Sequence, residues 1–211
     1  SYDRTVVIDT SGKTEEAILA TMPKAGKRSI RSGLKKGKAE GITFHEDTAN
    51  AASVIDEYYA VMEETAQRDG FRPHPKAVYM DLLRTLGPKH ARIFSMRDAD
   101  DAILCWDFCL VEGIRAQAEY GASTEAGRRL RQPPVLDFLA AEYLARDGVR
   151  EFDLMGAHSP RCPDLFSVGK YKIAFASHFT DVPGGWDMPI KKNTYRALRA
   201  AKAIKDWRAR S

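Results

Sequence analysis

The chain has 211 residues, of which 44% are hydrophobic and 29% charged, and its formal net charge is +4; this composition is that of a globular protein with one sizeable core and excludes a disordered or fibrous chain. No apolar run approaches the ~20 residues of a membrane span and no segment resembles a signal peptide, so we expect a soluble cytoplasmic protein. Three cysteines without paired CxxC spacing exclude a disulfide framework and do not indicate a metal site.

The first half of the chain is predicted to be mainly helical, because apolar residues recur there at three- and four-residue spacing between Gly and Pro signals. Asn50 or Ser53 is expected to cap the longest helix, and Gly70 to end it. In chain order, the predicted elements are a strand at 5–9, helices at 14–22 and 27–40, a strand at 42–45, a helix from 50 or 53 to 69, and a helix from 75 to 86.

The second half is predicted to begin as an antiparallel meander and then to alternate helices and strands. Its predicted elements are strands at 91–95, 102–112 and 114–120, a helix after Pro133-Pro134, a strand at 151–155, a helical piece at 163–176, a strand at 179–182 and a basic helix at 194–208. The pattern alone predicts a mixed α/β (α+β) fold. The order resembles the GNAT-like acyltransferase fold, in which a mostly antiparallel central sheet is flanked by helices and two parallel strands splay apart. We expect that domain at 1–190, followed by a basic C-terminal helix at 191–211.

Positive charge is concentrated in two segments. Seven basic residues and no acidic one lie between Lys24 and Lys38, and eight basic residues with one acidic residue lie from Lys191 onward. Such segments raise the local concentration of polyanions such as RNA. Solvated helix faces show the same pattern, so the charge alone does not choose between the two interpretations.

Lys172 lies among apolar and aromatic residues, in the stretch VGKYKIAF at 168–175, soon after the predicted strand at 151–155. An ammonium kept out of bulk water can stabilise a developing oxyanion through a low effective dielectric. The alternative is a surface lysine whose stem lies on apolar side chains while its head stays in water.

Four segments, taken in order, resemble the Fem family of non-ribosomal peptidyltransferases. They are KRSIR at 27–31 with KKG at 35–37, ETAQRDGF at 64–71 leading to Tyr79, EYGAS at 119–123, and FDLMG at 152–156 followed by Tyr171-Lys172 and Phe175. The likeness covers the second acyltransferase-like domain of that family and its closing helix, about half of a typical member. Since the chain also starts with serine and enters a strand at once, we expect a separate or removed N-terminal acyltransferase-like domain.

The resemblance implies transfer of an amino acid from aminoacyl-tRNA to an amine of a UDP-linked or lipid-linked peptidoglycan precursor, with no cofactor besides the aminoacyl-tRNA donor. It implies that Lys172 is the catalytic residue that stabilises the oxyanion and that Tyr79 and Tyr120 line the cavity, although core tyrosines would give the same pattern. Such an enzyme works in the cytoplasm or at the inner face of the membrane. The other site candidates are Tyr171 and Arg128 for substrate and Lys27, Arg28, Arg31, Lys35 and Lys36 for RNA.

The sequence departs from ordinary acetyltransferases at residues 128–134, RRLRQPP. Those enzymes bind the pyrophosphate of coenzyme A on backbone amides at a Gly-rich turn, and proline has no amide hydrogen. A coenzyme A site is therefore disfavoured. A coenzyme A-dependent N-acyltransferase and a non-catalytic RNA-binding or assembly half remain the alternatives. No convincing general base emerges, since His158 is interpreted as a loop residue and Asp153 as a structural one.

Overall fold

A computed structural model describes residues 2–183, 185 and 187–208. They form two compact units, Tyr2–Val182 and a unit that begins at Pro183, whereas the sequence places the boundary after residue 190. The helices and strands are β1 (Arg4–Asp9), α1 (Glu15–Thr21), α2 (Lys24–Ala39), β2 (Thr43–Glu46), α3 (Ile55–Asp69), α4 (Lys76–His90), β3 (Ala91–Arg97), β4 (Ile103–Glu112), β5 (Arg115–Ser123), α5 (Glu125–Arg129), α6 (Gln132–Arg146), β6 (Glu151–Gly156), a 3₁₀ turn (Pro163–Leu165), α7 (Phe166–Lys172), β7 (Thr180–Asp181) and α8 (Lys192–Arg208).

The first unit is built on a seven-stranded sheet in the order β2-β3-β4-β5-β6-β1-β7. All neighbouring strands are antiparallel except β5 and β6, which run parallel. The predicted fold, a mostly antiparallel mixed sheet flanked by helices, is confirmed. None of the described helices is both long enough and apolar enough to cross a bilayer.

The sheet opens between its two parallel strands. Arg115–Gln117 of β5 pair with Glu151–Asp153 of β6, and the pairing stops there although β5 continues to Ser123 and β6 to Gly156. Beyond these three pairs the strands diverge. The resulting gap in the middle of the sheet is the splay that the GNAT-like order of elements predicts, and we call it the opening.

Helices cover both faces of the sheet, and side chains alternate between the faces along each strand. On β4, Cys105 and Cys109 point into the larger core beneath α2 and α6. Trp106 and Phe108 point into the second core, beneath α3 and α4. Asp107 lies between Trp106 and Phe108 in sequence, so its side chain lies on the α6 face with Cys105 and Cys109, which are both buried.

α2 packs against the α6 face through small residues. Gly26, Ile30, Gly33 and Gly37 are its buried positions, spaced three and four residues apart. A Cβ on Gly26 would lie 1.8 Å from the carbonyl oxygen of Ala174, just beyond α7. The glycines therefore allow close contact with the chain that follows α7, and the basic residues of α2 point outward.

Three predicted local features differ from the structure. α3 begins after Val54 and is capped by neither Asn50 nor Ser53; the preceding residues form turns in which the Ser53 hydroxyl donates to the Asn50 carbonyl oxygen (2.7 Å). α4 continues past residue 86 to His90 through a kink at Gly87, where φ is +69°. The predicted helix at 163–176 is a 3₁₀ turn followed by α7, which ends at Lys172. Gly70 ends α3 in the left-handed conformation, as predicted.

Candidate functional site

Lys172, the last residue of α7, lies at the end of β6. Its Nζ donates a hydrogen bond to the carbonyl oxygen of Gly156 (2.9 Å), on the strand that borders the opening. Burial lowers the pKa of the Lys172 ammonium, and the charges of Asp137, Asp153 and Asp107 offset this only in part. Lys172 is therefore a partly buried amine with carboxyl groups in its vicinity rather than a lysine with a fully solvated head.

A kink in β6 directs the Gly156 carbonyl towards Lys172. Met155 has a φ of +67°, which is uncommon for a residue with a side chain. Its amide donates to Asp153 Oδ1 (2.7 Å), and the Thr5 hydroxyl donates to its carbonyl oxygen (2.9 Å) and also contacts Asp153 Oδ1. Thr5 and Asp153 thus hold the strained backbone in place, which agrees with the structural role predicted for Asp153.

Tyr171 connects the protein surface to a buried carboxylate. Its hydroxyl donates to Oδ2 of Asp137, on α6, while the residue as a whole remains 37% exposed. Its ring also lines a cavity of about 60 Å³ between α2, α6 and α7, together with Ser29 and Pro134. Burial raises the pKa of the Asp137 carboxyl, and the Tyr171 hydrogen bond and the charge on Lys172 oppose the shift.

Asp107, on β4, lies next to Asp137 and Lys172. Its Oδ1 stands 2.8 Å from the position that a Cβ on Gly121 would occupy, so the absent side chain of Gly121 leaves room for the carboxyl beside the opening. Among the described residues, Oδ2 of Asp107 is buried without a hydrogen-bond partner. Burial and the neighbouring Asp137 carboxylate raise the pKa of Asp107 well above its usual range.

Tyr79 and Tyr120 lie together on the other face of the sheet. Their ring centroids are 5.0 Å apart, and Tyr79 also packs against Tyr59 and Trp106. Tyr79 is only 2% exposed, and burial with the nearby tyrosines raises its pKa to about 12. Tyr120 is half-buried on β5, beyond the last β5–β6 pair, and contacts His74. The opening thus lies between the tyrosine pair on one face and the cluster of Lys172, Tyr171, Asp137 and Asp107 on the other.

The remaining predicted residues lie elsewhere. Arg128 is on α5 and pairs with Asp69 of α3 (3.8 Å). Lys27 donates from Nζ to the Ala20 carbonyl oxygen (3.1 Å). The other four RNA candidates, Arg28, Arg31, Lys35 and Lys36, are exposed on α2, and no ion pair to them is found in the described part of the chain. The second basic segment forms α8, and residues after Arg208 lie outside the described residues.

The turn that would hold the pyrophosphate of coenzyme A has few free amides. The Glu125 amide donates to the Glu64 carboxylate (2.7 Å), and the Gly127 amide donates to Thr124 Oγ1 (3.0 Å). α6 then begins with two prolines in its first turn. An acidic side chain therefore occupies the position where an anion would bind, and these residues do not fit a coenzyme A pyrophosphate.

Asp107 and Asp137 were not identified as site residues from the sequence. Asp107 is the single charged residue in the apolar run 103–111, ILCWDFCLV, and Asp137 lies among the inward-facing residues of α6. Charged residues are seldom buried unless they are paired, so an aspartate at each of these apolar positions indicates a buried polar cluster.

A profile of the acetyltransferase (GNAT) domain family matches residues 24–172, a range that contains the meander, both strands of the opening and Lys172. No curated protein is a significant match.

Three solved structures illustrate the structural similarity. FemX is similar with a TM-score of 0.72 at 12% identity, over 84% of this chain and 59% of FemX. The C-terminal domain of a putative lysylphosphatidylglycerol synthetase from Agrobacterium fabrum has a TM-score of 0.60 at 14% identity, over 82% and 56%. An aminoglycoside acetyltransferase, meta-AAC0020, from an uncultured soil metagenomic sample has a TM-score of 0.51 at 10% identity, over 72% and 99%.

These identities are low, so the similarity concerns the fold, and this chain spans less than two thirds of the first two structures. The family profile covers most of the sequence, and the sheet has the parallel pair that splays open. The chain therefore belongs to the acetyltransferase (GNAT) domain family and has an acyltransferase fold.

Proposed function

We propose that the chain is a Fem-like aminoacyltransferase domain, which transfers an amino acid from aminoacyl-tRNA to an amine of a peptidoglycan precursor. The observation that carries the proposal is the Lys172 ammonium at the opening of the sheet, hydrogen-bonded to Gly156 and partly shielded from water. The fold similarity to FemX supports the same assignment.

In this reaction the acceptor amine attacks the ester carbonyl that links the amino acid to the tRNA. Negative charge develops on the carbonyl oxygen, where one preorganised cation contributes about 3 kcal/mol, and Lys172 supplies that cation. The amide bond then forms as the ester bond breaks. The amine loses one proton and the leaving tRNA hydroxyl gains one, so the step is balanced. Because the ester is already activated, positioning of the two substrates provides much of the remaining rate.

The outward face of α2 is proposed to attract the tRNA backbone. The helix has 16 residues, which corresponds to a length of about 24 Å, and it contains no acidic residue. Arg28, Arg31 and Lys35 follow one another at helical spacing on the side opposite the glycines. Lysine and arginine side chains on such a face bind phosphates without reading sequence, as a donor pool of different tRNAs requires.

The acceptor is proposed to approach from the face that carries Tyr79 and Tyr120. Tyr120 is the more accessible of the two and stands on the strand that borders the opening. Either a UDP-linked or a lipid-linked precursor fits this proposal, in the cytoplasm or at the inner membrane face. Because the chain spans 59% of FemX, a separate N-terminal acyltransferase-like domain is the proposed partner.

The test is transfer of radiolabelled amino acid from a mixed pool of charged tRNAs to a peptidoglycan precursor. This 211-residue chain and a form extended by the proposed N-terminal domain are assayed side by side. We expect Lys172→Met to lower transfer about 100-fold. Lys170→Met, on the same helix but exposed, is the matched control and should leave the rate unchanged. Transfer by Lys172→Met at the wild-type rate would exclude the assigned role.

A coenzyme A-dependent N-acyltransferase is the second candidate, because the matching family profile is that of an acetyltransferase domain. The bonded amides and the Glu64 carboxylate at the turn argue against it. Addition of acetyl-CoA distinguishes the two, since a ligand that binds the folded state raises the melting temperature. We expect no increase, and a saturable increase would favour this second candidate. A non-catalytic RNA-binding half would bind tRNA and transfer nothing in either form.

A further inference from the structure

Two carboxyl groups are buried together beside Lys172, and the proposed reaction gives neither of them a role. Asp107 of β4 is 8% exposed and Asp137 of α6 is 7% exposed. Tyr171 and Lys172, consecutive residues of α7, complete the group. Burial of an ionised carboxylate is unfavourable unless a counter-charge and hydrogen bonds compensate for the lost hydration.

The charges of the group balance only if one carboxyl keeps its proton. Two carboxylates and one ammonium give a net charge of −1, whereas one carboxylate, one carboxylic acid and one ammonium give zero. Burial of a neutral cluster costs less desolvation free energy than burial of a charged one, and two adjacent carboxyls do not both ionise readily.

The hydrogen bonds indicate which carboxyl is ionised. Asp137 accepts the hydrogen bond of the Tyr171 hydroxyl, which stabilises its charged form. Asp107 has no such donor, since its Oδ2 is buried without a hydrogen-bond partner among the described residues. The Asp107 carboxyl is instead hydrogen-bonded to the Asp137 carboxyl, and a bond between two carboxyls requires that one of them keeps its proton. The proton is therefore expected to reside on Asp107.

Other titratable groups around the pair supply no further positive charge. Asp153 of β6 accepts hydrogen bonds from the Met155 amide and the Thr5 hydroxyl, and its charge also acts on Lys172, so it makes ionisation of both Asp107 and Asp137 still less favourable. Cys105 and Cys109, on the same face of β4, have thiols whose pKa burial raises, so they stay neutral. Arg92 on β3 forms its own ion pairs with Glu46 and Asp147.

We propose that Asp107 is held as a neutral carboxylic acid beside an ionised Asp137, and that Asp137 is thereby the buried counter-charge that keeps Lys172 protonated at the opening. Asp137 is then a positioning residue, which acts through Lys172. The catalytic part of this inference rests on the proposed function. The charge states themselves do not.

The charge states can be measured without any substrate. Carbon-13 NMR of protein labelled at the aspartate side-chain carboxyls follows each carboxyl through a pH titration, and Asp107→Asn and Asp137→Asn assign the two signals. We expect one buried carboxyl to be protonated at pH 7 and its signal to be missing in Asp107→Asn. Two ionised carboxyls at pH 7, or a proton that resides on Asp137, would overturn the proposal. The comparison of wild type with Asp107→Asn is sufficient to locate the proton, so the test does not depend on whether Asp137→Asn folds.

The pH profile of transfer tests the counter-ion role. Loss of the Asp137 charge lowers the pKa of Lys172, so the alkaline limb of the Asp137→Asn profile should move to lower pH and the rate at pH 8 should fall at least tenfold. Asp107→Asn replaces a neutral acid by a neutral amide, so its alkaline limb should stay in place. Glu142→Gln, an acid of the same helix paired with Arg146, is the control for a general change in charge.

An unshifted alkaline limb in folded Asp137→Asn, or an equal shift in Asp107→Asn, would contradict the counter-ion role. A wild-type protein that transfers no amino acid in either form would refute the proposed function instead. In that case the NMR titration still decides whether the pair shares one proton.

Discussion

Replacement of Gly26 by alanine is the sharpest test of how α2 packs. The new Cβ would lie 1.8 Å from the carbonyl oxygen of Ala174 and 2.9 Å from its carbonyl carbon. Both atoms belong to the backbone and cannot rotate away. The two segments would have to separate by about 1.5 Å to restore an ordinary contact, which is a large displacement in a close-packed protein.

The expected loss follows from two opposing effects. Overpacking of this kind destabilises by about 1–3 kcal/mol. Alanine offsets part of this, because it favours a helix over glycine by about 1 kcal/mol. Because both obstructing atoms belong to the backbone, the upper half of the overpacking range applies, and we expect a net loss of about 1–2 kcal/mol. The melting temperature should then be lower by roughly 2–8 °C for a chain of this length.

Gly37→Ala on the same helix is the matched control. There the nearest atom is Oε1 of Gln132 at 3.1 Å, a side-chain atom that would need to shift by only a few tenths of an ångström. We expect its stability to be unchanged or to rise by up to about 1 kcal/mol. Thermal unfolding of both variants by circular dichroism provides the measurement. Equal melting temperatures for the two variants would refute the close contact between α2 and residue 174.

Two further predictions concern charge. Asp47→Ala should destabilise the protein by about 3 kcal/mol, measured by urea unfolding, because Ser95, Tyr58 and Arg97 all donate hydrogen bonds to the Asp47 carboxylate and would lose their acceptor; a loss below about 1 kcal/mol would contradict this. Burial opposes ionisation of Asp47, but hydrogen bonds, of which that from Ser95 is the strongest, lower the pKa of its carboxyl in the folded state. The stability that ionised Asp47 contributes is therefore fully present above its unfolded-state pKa of about 3.9. This stability is lost as the pH falls through the lower pKa of the folded state. Asp47→Asn should therefore lose less stability between pH 5 and pH 2 than the wild type. Arg31→Glu with Lys35→Glu should weaken tRNA binding and reduce the slope of log K against log salt by about 2, and an unchanged slope would remove α2 from the RNA interface.

Most of the fold could be predicted because the long elements have strong periodic signals. The apolar run of β4 and the two prolines in the first turn of α6 placed those elements within one or two residues. The short helix α5 was missed, since Glu125–Arg129 has five residues and shows no apolar periodicity. The cap of α3 was misassigned because turns ahead of the helix place Asp47 against Arg97, and a contact between residues 50 apart is invisible to a local pattern.

The candidate site was only partly predictable. Lys172 was identified from its apolar and aromatic surroundings and from its match to a family motif, and the structure places it at the opening. The structure also places Tyr79 and Tyr120 on the opposite face from Lys172, which no local pattern could indicate. Asp107 and Asp137 come from separate elements that only the tertiary fold brings together. Their protonation depends on burial, which a sequence expresses only as unexpected polar residues in apolar surroundings.

The short pairing between β5 and β6 has a mechanical consequence. Four strands, β2 to β5, form one continuous antiparallel ladder, and β6, β1 and β7 form another. Three residue pairs at one end of the opening join these two leaves through the sheet. The two ladders share one hydrophobic core, to which Val6 and Phe152 contribute from one ladder and Phe94 and Cys105 from the other. The width of the gap between Gly156 and Tyr120 is therefore set by side-chain packing rather than by backbone hydrogen bonds, and core substitutions far from Lys172 should alter it.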